Sequence, residues 1–121
     1  MANESIPGSF IDELRSALQH LYAPHALCRS PLNEMLKVDA ARDPLALQNA
    51  LLRAIDALKP KPGTPSQAPS YRAYRALYHR YAEQFSQAEV AKALGLSPRQ
   101  LLRQEAAALQ TLAAYLWARS D

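Results

Sequence analysis

Residues Phe85–Leu112 read FSQAEVAKALGLSPRQLLRQEAAALQTL, and the start and stop signals inside this stretch decide the fold. Ser86 and Glu89 stand three apart at the head of an apolar-periodic run, a spacing that satisfies two orphan amides of a helix start reciprocally. Gly95 closes the run, because it enters a left-handed turn without penalty. Ser97-Pro98 opens a second helix, with a capping hydroxyl followed by a proline at the first helical position. No breaker follows until about Ala118, so this helix is roughly 30 Å long at ~1.5 Å per residue. Val90, Ala91, Leu94, Leu96 and Leu101 fall where two such helices would cross. The small Ala91 admits close approach, and polar residues between these positions are left to face outward. The expectation is a helix-turn-helix.

Working outward, Ser70 reads as the cap of a preceding helix, Tyr71–Glu83, rich in tyrosine and arginine. Before it lies PKPGTPSQAPS, Pro60–Ser70, with four prolines and a glycine in eleven residues. Proline removes amide donors and blocks helix, so an extended connector is expected. It divides the chain into an N-terminal helical subdomain (1–59), a linker (60–70) and a C-terminal part (71–121). Three helices are expected in the first part. Ser9 caps one whose Phe10, Ile11, Leu14, Ala17, Leu18 and Leu21 recur at helical spacing, and Pro24 ends it at the latest. Ser30-Pro31 opens Leu32–Val38, and Asp43-Pro44 opens Leu45–Leu58, whose Leu47, Leu51, Leu52, Ile55 and Leu58 form one stripe. With no strand signal, the fold class is all-α, about six helices, the long last helix packed on the N-terminal subdomain.

Composition bounds the function classes. The 121 residues are 49% hydrophobic and 21% charged, which excludes an intrinsically disordered chain. The single cysteine, Cys28, excludes an intramolecular disulfide. The start MANESIPGSF lacks a signal-peptide pattern, and no window of ~18 apolar residues exists to span a membrane, so a cytoplasmic protein is expected. Net charge is +3, unevenly placed. Residues 1–70 carry seven basic against seven acidic side chains, whereas residues 71–103 carry six (Arg72, Arg75, Arg80, Lys92, Arg99, Arg103) against two (Glu83, Glu89). A surplus concentrated there is the footprint of a phosphate-backbone binder.

The segment Arg80–Leu112, RYAEQFSQAEVAKALGLSPRQLLRQEAAALQTL, resembles region four of bacterial sigma factors without gaps. Arg80, Tyr81 and Glu83 match its lead-in. Ser86, Glu89, Val90, Ala91, Leu94, Gly95, Leu96 and Ser97 match its core, and Glu105, Ala106, Ala108, Leu109 and Leu112 its close. The resemblance covers about a quarter of the chain and implies a bacterial, DNA-binding transcription regulator. Residues near the start of a recognition helix enter the major groove. Ser97, Arg99, Gln100, Arg103 and Gln104 are therefore the candidate base contacts. Arg80, Ser86, Gln87 and Lys92 are candidates for phosphates, with Arg72 and Arg75 as further ones. The partners implied are double-stranded DNA, RNA polymerase or a fused signalling domain. Two positions depart from the family: Leu102 stands where arginine is usual, and Gln104 where an apolar residue is usual. A buried Leu102 would serve packing; an exposed one would argue for a protein-binding use. The N-terminal HLYAPHALCRSPLNEMLKV, with its Asp-Pro helix and proline-rich connector, resembles a segment placed before this motif in multidomain bacterial regulators and sensors.

The remaining features are weaker. Leu109, Leu112, Ala113, Leu116 and Trp117 form an apolar stripe beyond what the motif needs. It would pack on the N-terminal helices or on a second copy, making a homodimer. His20, His25 and Cys28 match no standard zinc spacing and read as structural histidines and a buried thiol. No nucleophile–base pair, phosphate-cradling glycine loop or paired acids stand out, so neither enzyme activity nor a cofactor is expected. The alternative to DNA binding is a protein-interaction or oligomerisation module on the same fold.

Overall fold

Prolines start more helices in this chain than they stop, because at the first helical position the missing amide hydrogen costs nothing. The computed structural model describes residues 6–65 and 67–119, and among these it forms seven α-helices and no strand. They are α1 (Gly8–Gln19), α2 (Pro24–Cys28), α3 (Leu32–Met35), α4 (Ala46–Ala57), α5 (Pro69–Leu77), α6 (Gln87–Leu94) and α7 (Pro98–Arg119). Pro7 and Pro31 occupy N-caps; Pro24, Pro69 and Pro98 lie in first turns. The all-α architecture of about six helices holds. Ser66 of the connector, residues 1–5 and the terminal Ser120 and Asp121 lie outside the described residues.

Local readings shift where two signals compete. Ser9 lies inside α1, with Pro7 as its N-cap, since a proline fixed near φ −57° already fits the helix entry. Four helices, not three, precede the connector: Pro24 opens α2 rather than only closing α1. The helix expected over Leu32–Val38 is cut to one turn, because Lys37 adopts φ 58° and Val38 N–H turns back to the Asn33 carbonyl at 2.7 Å. Asp43 is displaced as the cap: α4 starts at Ala46 with Leu45 as its N-cap, and the Asp43 carboxylate accepts from Leu45 N–H at 3.0 Å in the turn ahead of the helix. Ser70 is overtaken by Ala68 as the N-cap of α5. That helix runs without a break into a five-residue π-helical turn, Tyr78–Ala82. The connector is folded into turns at its described residues: Thr64 Oγ1 donates to the Lys61 carbonyl at 2.7 Å, and Ala68 N–H to that of Pro65 at 3.0 Å.

The C-terminal half of α7 is the spine of the core. Ala108, Leu109, Leu112, Ala113 and Leu116 are buried in one cluster with Phe10, Leu14 and Leu18 of α1, Leu47, Leu51 and Ile55 of α4, and Leu77 of α5. Trp117 meets Phe10 edge to face with ring centroids 5.0 Å apart. The stripe Leu109, Leu112, Leu116, Trp117 is therefore spent inside the chain. The core also runs across the connector. Tyr22 reinforces that continuity by donating its hydroxyl to the Ala82 carbonyl at 2.6 Å. A second, smaller cluster of Val90, Ala91 and Leu101, flanked by Phe85, Leu94 and Leu96, holds α6 on the first turns of α7.

Candidate functional site

The α6–turn–α7 unit is built from paired caps. Ser86 Oγ accepts from Glu89 N–H at 3.1 Å, and the Glu89 carboxylate accepts from Ser86 N–H at 2.8 Å. At the other end Gly95 takes φ 67°, ψ 36°. Leu96 N–H then reaches the Ala91 carbonyl at 2.8 Å, and Gly95 N–H that of Lys92 at 3.2 Å. This is the full Schellman pattern, and Leu96 packs against the small apolar cluster that includes Ala91. Ser97 begins α7 with a second reciprocal pair: its Oγ accepts from Gln100 N–H at 3.2 Å, and Gln100 Oε1 accepts from Ser97 N–H at 2.9 Å. The Ser-x-x-Gln spacing is that of a capping box, so the start of α7 engages both candidate base contacts in its own hydrogen bonds.

The side chains expected to contact a nucleic acid divide into an engaged and an open set. Arg80 is the most engaged. Its Nε lies 3.6 Å from a Glu105 carboxylate oxygen, and its guanidinium also donates to the Phe85 carbonyl at 3.4 Å. Gln87 donates to the same Glu105 carboxylate at 2.9 Å. This three-residue link ties the π-helical turn and the start of α6 to the middle of α7, and sequence spacing gave no sign of it. Arg75 is likewise occupied, donating to the Ala93 carbonyl near the C-terminal end of α6 at 3.4 Å. Gln104 is half-buried.

The open set is Lys92, Arg99 and Arg103. All three are exposed and engage no acidic side chain among the described residues. The acids of the region are turned to their own chain: Glu83 pairs with His79, Glu89 caps α6, and Glu105 holds Gln87 and Arg80. Arg99, Leu102, Arg103 and Ala106 fall at i, i+3, i+4 and i+7, one face of α7, and all four are exposed. Leu102 is 57% exposed, the open one of its two sequence-level alternatives. It borders a groove of about 180 Å³ whose other lining residues are Gln87, Ala88, Ala91, Pro98 and Leu101.

Behind this face sits Tyr81. Burial pushes its phenol above the ordinary 10.0, and the nearby Glu105 carboxylate adds to the shift, against the lowering effect of Arg80 and Arg15. Burial also raises Tyr74, with Asp56 contributing.

The histidine–cysteine reading needs correction. Cys28 is exposed rather than buried, because the five-residue α2 turns only Leu27 fully into the core. His20 and His25 are exposed too, with His20 Nδ1 2.9 Å from the Ser16 carbonyl oxygen. Among the described residues no group of three or more His, Cys, Asp or Glu side chains is placed to hold a metal. No described helix is long and apolar enough to cross a membrane. No family model, curated protein or solved structure matches the chain.

Proposed function

We propose that this chain is a DNA-binding transcriptional regulator of bacterial type. In this reading α6 and α7 form a sigma-region-four-like helix-turn-helix, and α7 enters the major groove. One observation carries it: the outward face of α7 presents Arg99 and Arg103 without acidic partners, while every glutamate of the unit is held by a donor of its own chain. Such a face offers uncompensated positive charge to phosphates, and guanidinium forks to the two acceptors of guanine. Its rigidity comes from the caps and the small core beneath it, so little ordering is spent on binding.

Within this reading the side chains divide their roles. Arg99 and Arg103 are the base-readers. Lys92 is the phosphate contact from α6. Ser97 and Gln100 position the start of α7, with the Gln100 amide nitrogen left to donate. Arg80 and Gln87 hold the unit together. A cytoplasmic location accords with this role.

The test is fluorescence anisotropy with labelled random-sequence duplex at stepped salt concentrations. On random-sequence duplex, where Arg99 and Arg103 meet phosphates alongside Lys92, three contacts give a log–log slope of about −2.7, at ~0.9 per contact on B-form DNA. Arg99→Ala and Arg103→Ala should each weaken binding, by about 1–3 kcal/mol where the arginine reads guanine. Absence of binding at low ionic strength would overturn the proposal. One observation favours a second reading, a protein-interaction module: Leu102 is exposed beside an apolar groove.

A further inference from the structure

Leu102 is left out of both apolar cores. It is 57% exposed, while its neighbour Leu101 is 1% exposed and closes the small core beneath. Apart from Gln87, the groove beside it presents alanine, proline and leucine side chains. On either side of it along the same helix face stand Arg99 and Arg103, both exposed. An apolar spot between two unpaired guanidinium groups fits a ligand that alternates anionic or hydrogen-bonding groups with a small apolar one. The major groove of duplex DNA has this pattern, because the C5-methyl of thymine is an apolar projection among base-edge acceptors and phosphates.

We infer that Leu102 is a specificity-determining residue that seats a thymine methyl beside the base pairs addressed by Arg99 and Arg103. The inference rests on the DNA-binding reading above. Leucine has neither donor nor acceptor, so its preference comes from the methyl alone. Thymine is favoured over cytosine there, and 5-methylcytosine recovers part of the difference. Removing one buried methyl-sized group, ~0.8 kcal/mol, corresponds to about a fourfold loss of affinity.

The experiment enriches a preferred duplex from a random library with the full chain, then replaces its thymines one at a time with deoxyuridine. One position should weaken binding about fourfold on losing its methyl. Leu102→Ala should lower affinity for the parent duplex by a similar factor and abolish the thymine–uracil difference, while Arg99→Ala keeps it. Circular dichroism melting confirms that Leu102→Ala folds, as its exposure predicts. A duplex bound with no methyl-sensitive position, or a sensitivity that survives in Leu102→Ala, overturns this inference and leaves DNA binding standing. Failure to bind any duplex at low salt overturns both this inference and the DNA-binding reading.

Discussion

Replacing Gly95 with alanine isolates one backbone contribution in the turn that sets α7 against α6. The residue sits at φ 67°, and a Cβ built there meets no heavy atom within 4 Å. No clash therefore enters the cost. Holding an L-residue in the left-handed region costs about 1–2 kcal/mol. Alanine also restricts the unfolded chain, which returns about 0.4–1 kcal/mol to the folded state. The net loss is about 1 kcal/mol. Unfolding entropy of ~2.1 cal/mol/K per residue over 121 residues makes this a fall in Tm of about 4 °C. Gly95→Asn should lose less, since asparagine tolerates this conformation. Urea denaturation checks the order Gly, Asn, Ala in midpoint, with unchanged slope. An alanine variant as stable as the parent would refute the reasoning, as would a loss above about 3 kcal/mol or an asparagine variant weaker than alanine.

Other consequences are as direct. Leu112→Ala, at a fully buried position joining α7 to the N-terminal helices, should cost about 2–5 kcal/mol, read from the denaturation midpoint. Glu105→Ala leaves the part-buried Arg80 without its carboxylate and Gln87 without its acceptor. A loss of about 1–2 kcal/mol is expected after discounting for the partial exposure of the pair, and hydrogen exchange should rise first in α6. Tyr81 and Tyr74 have folded-state pKa values raised above 10.0. Their contribution is complete below pH 10 and is lost as pH climbs through the folded values. Stability should therefore fall at strongly alkaline pH, and Tyr81→Phe should flatten that fall. Leu102→Arg should change the unfolding free energy by no more than about 0.5 kcal/mol and steepen the salt dependence of duplex binding by about 0.9.

Short-range signals were legible in the sequence within the α6–turn–α7 unit, whereas the caps expected at Ser9 and Ser70 gave way to Pro7 and Ala68. The Ser86–Glu89 box, Gly95 and the Pro98 start occur where spacing placed them, since each is satisfied by its own neighbours. Charge asymmetry was legible too, being a sum over residues. The exceptions are instructive. Gln100, a candidate base contact by its place near the start of α7, is a capping partner of Ser97 by its spacing. Residue type alone favours a buried Cys28, but the single turn of α2 turns Leu27 inward and leaves Cys28 exposed.

What the sequence by itself determined is the all-α class, the α6–turn–α7 unit and the excess of positive charge around it. All three follow from local hydrogen bonding, helical period and composition. Only the tertiary structure decided that the stripe Leu109–Trp117 closes on α1 and α4, and that Arg80 is held by Glu105. It also decided that Leu102 is left open between Arg99 and Arg103. Those outcomes depend on which distant surfaces meet, and a period of 3.6 residues marks an apolar face without naming what covers it.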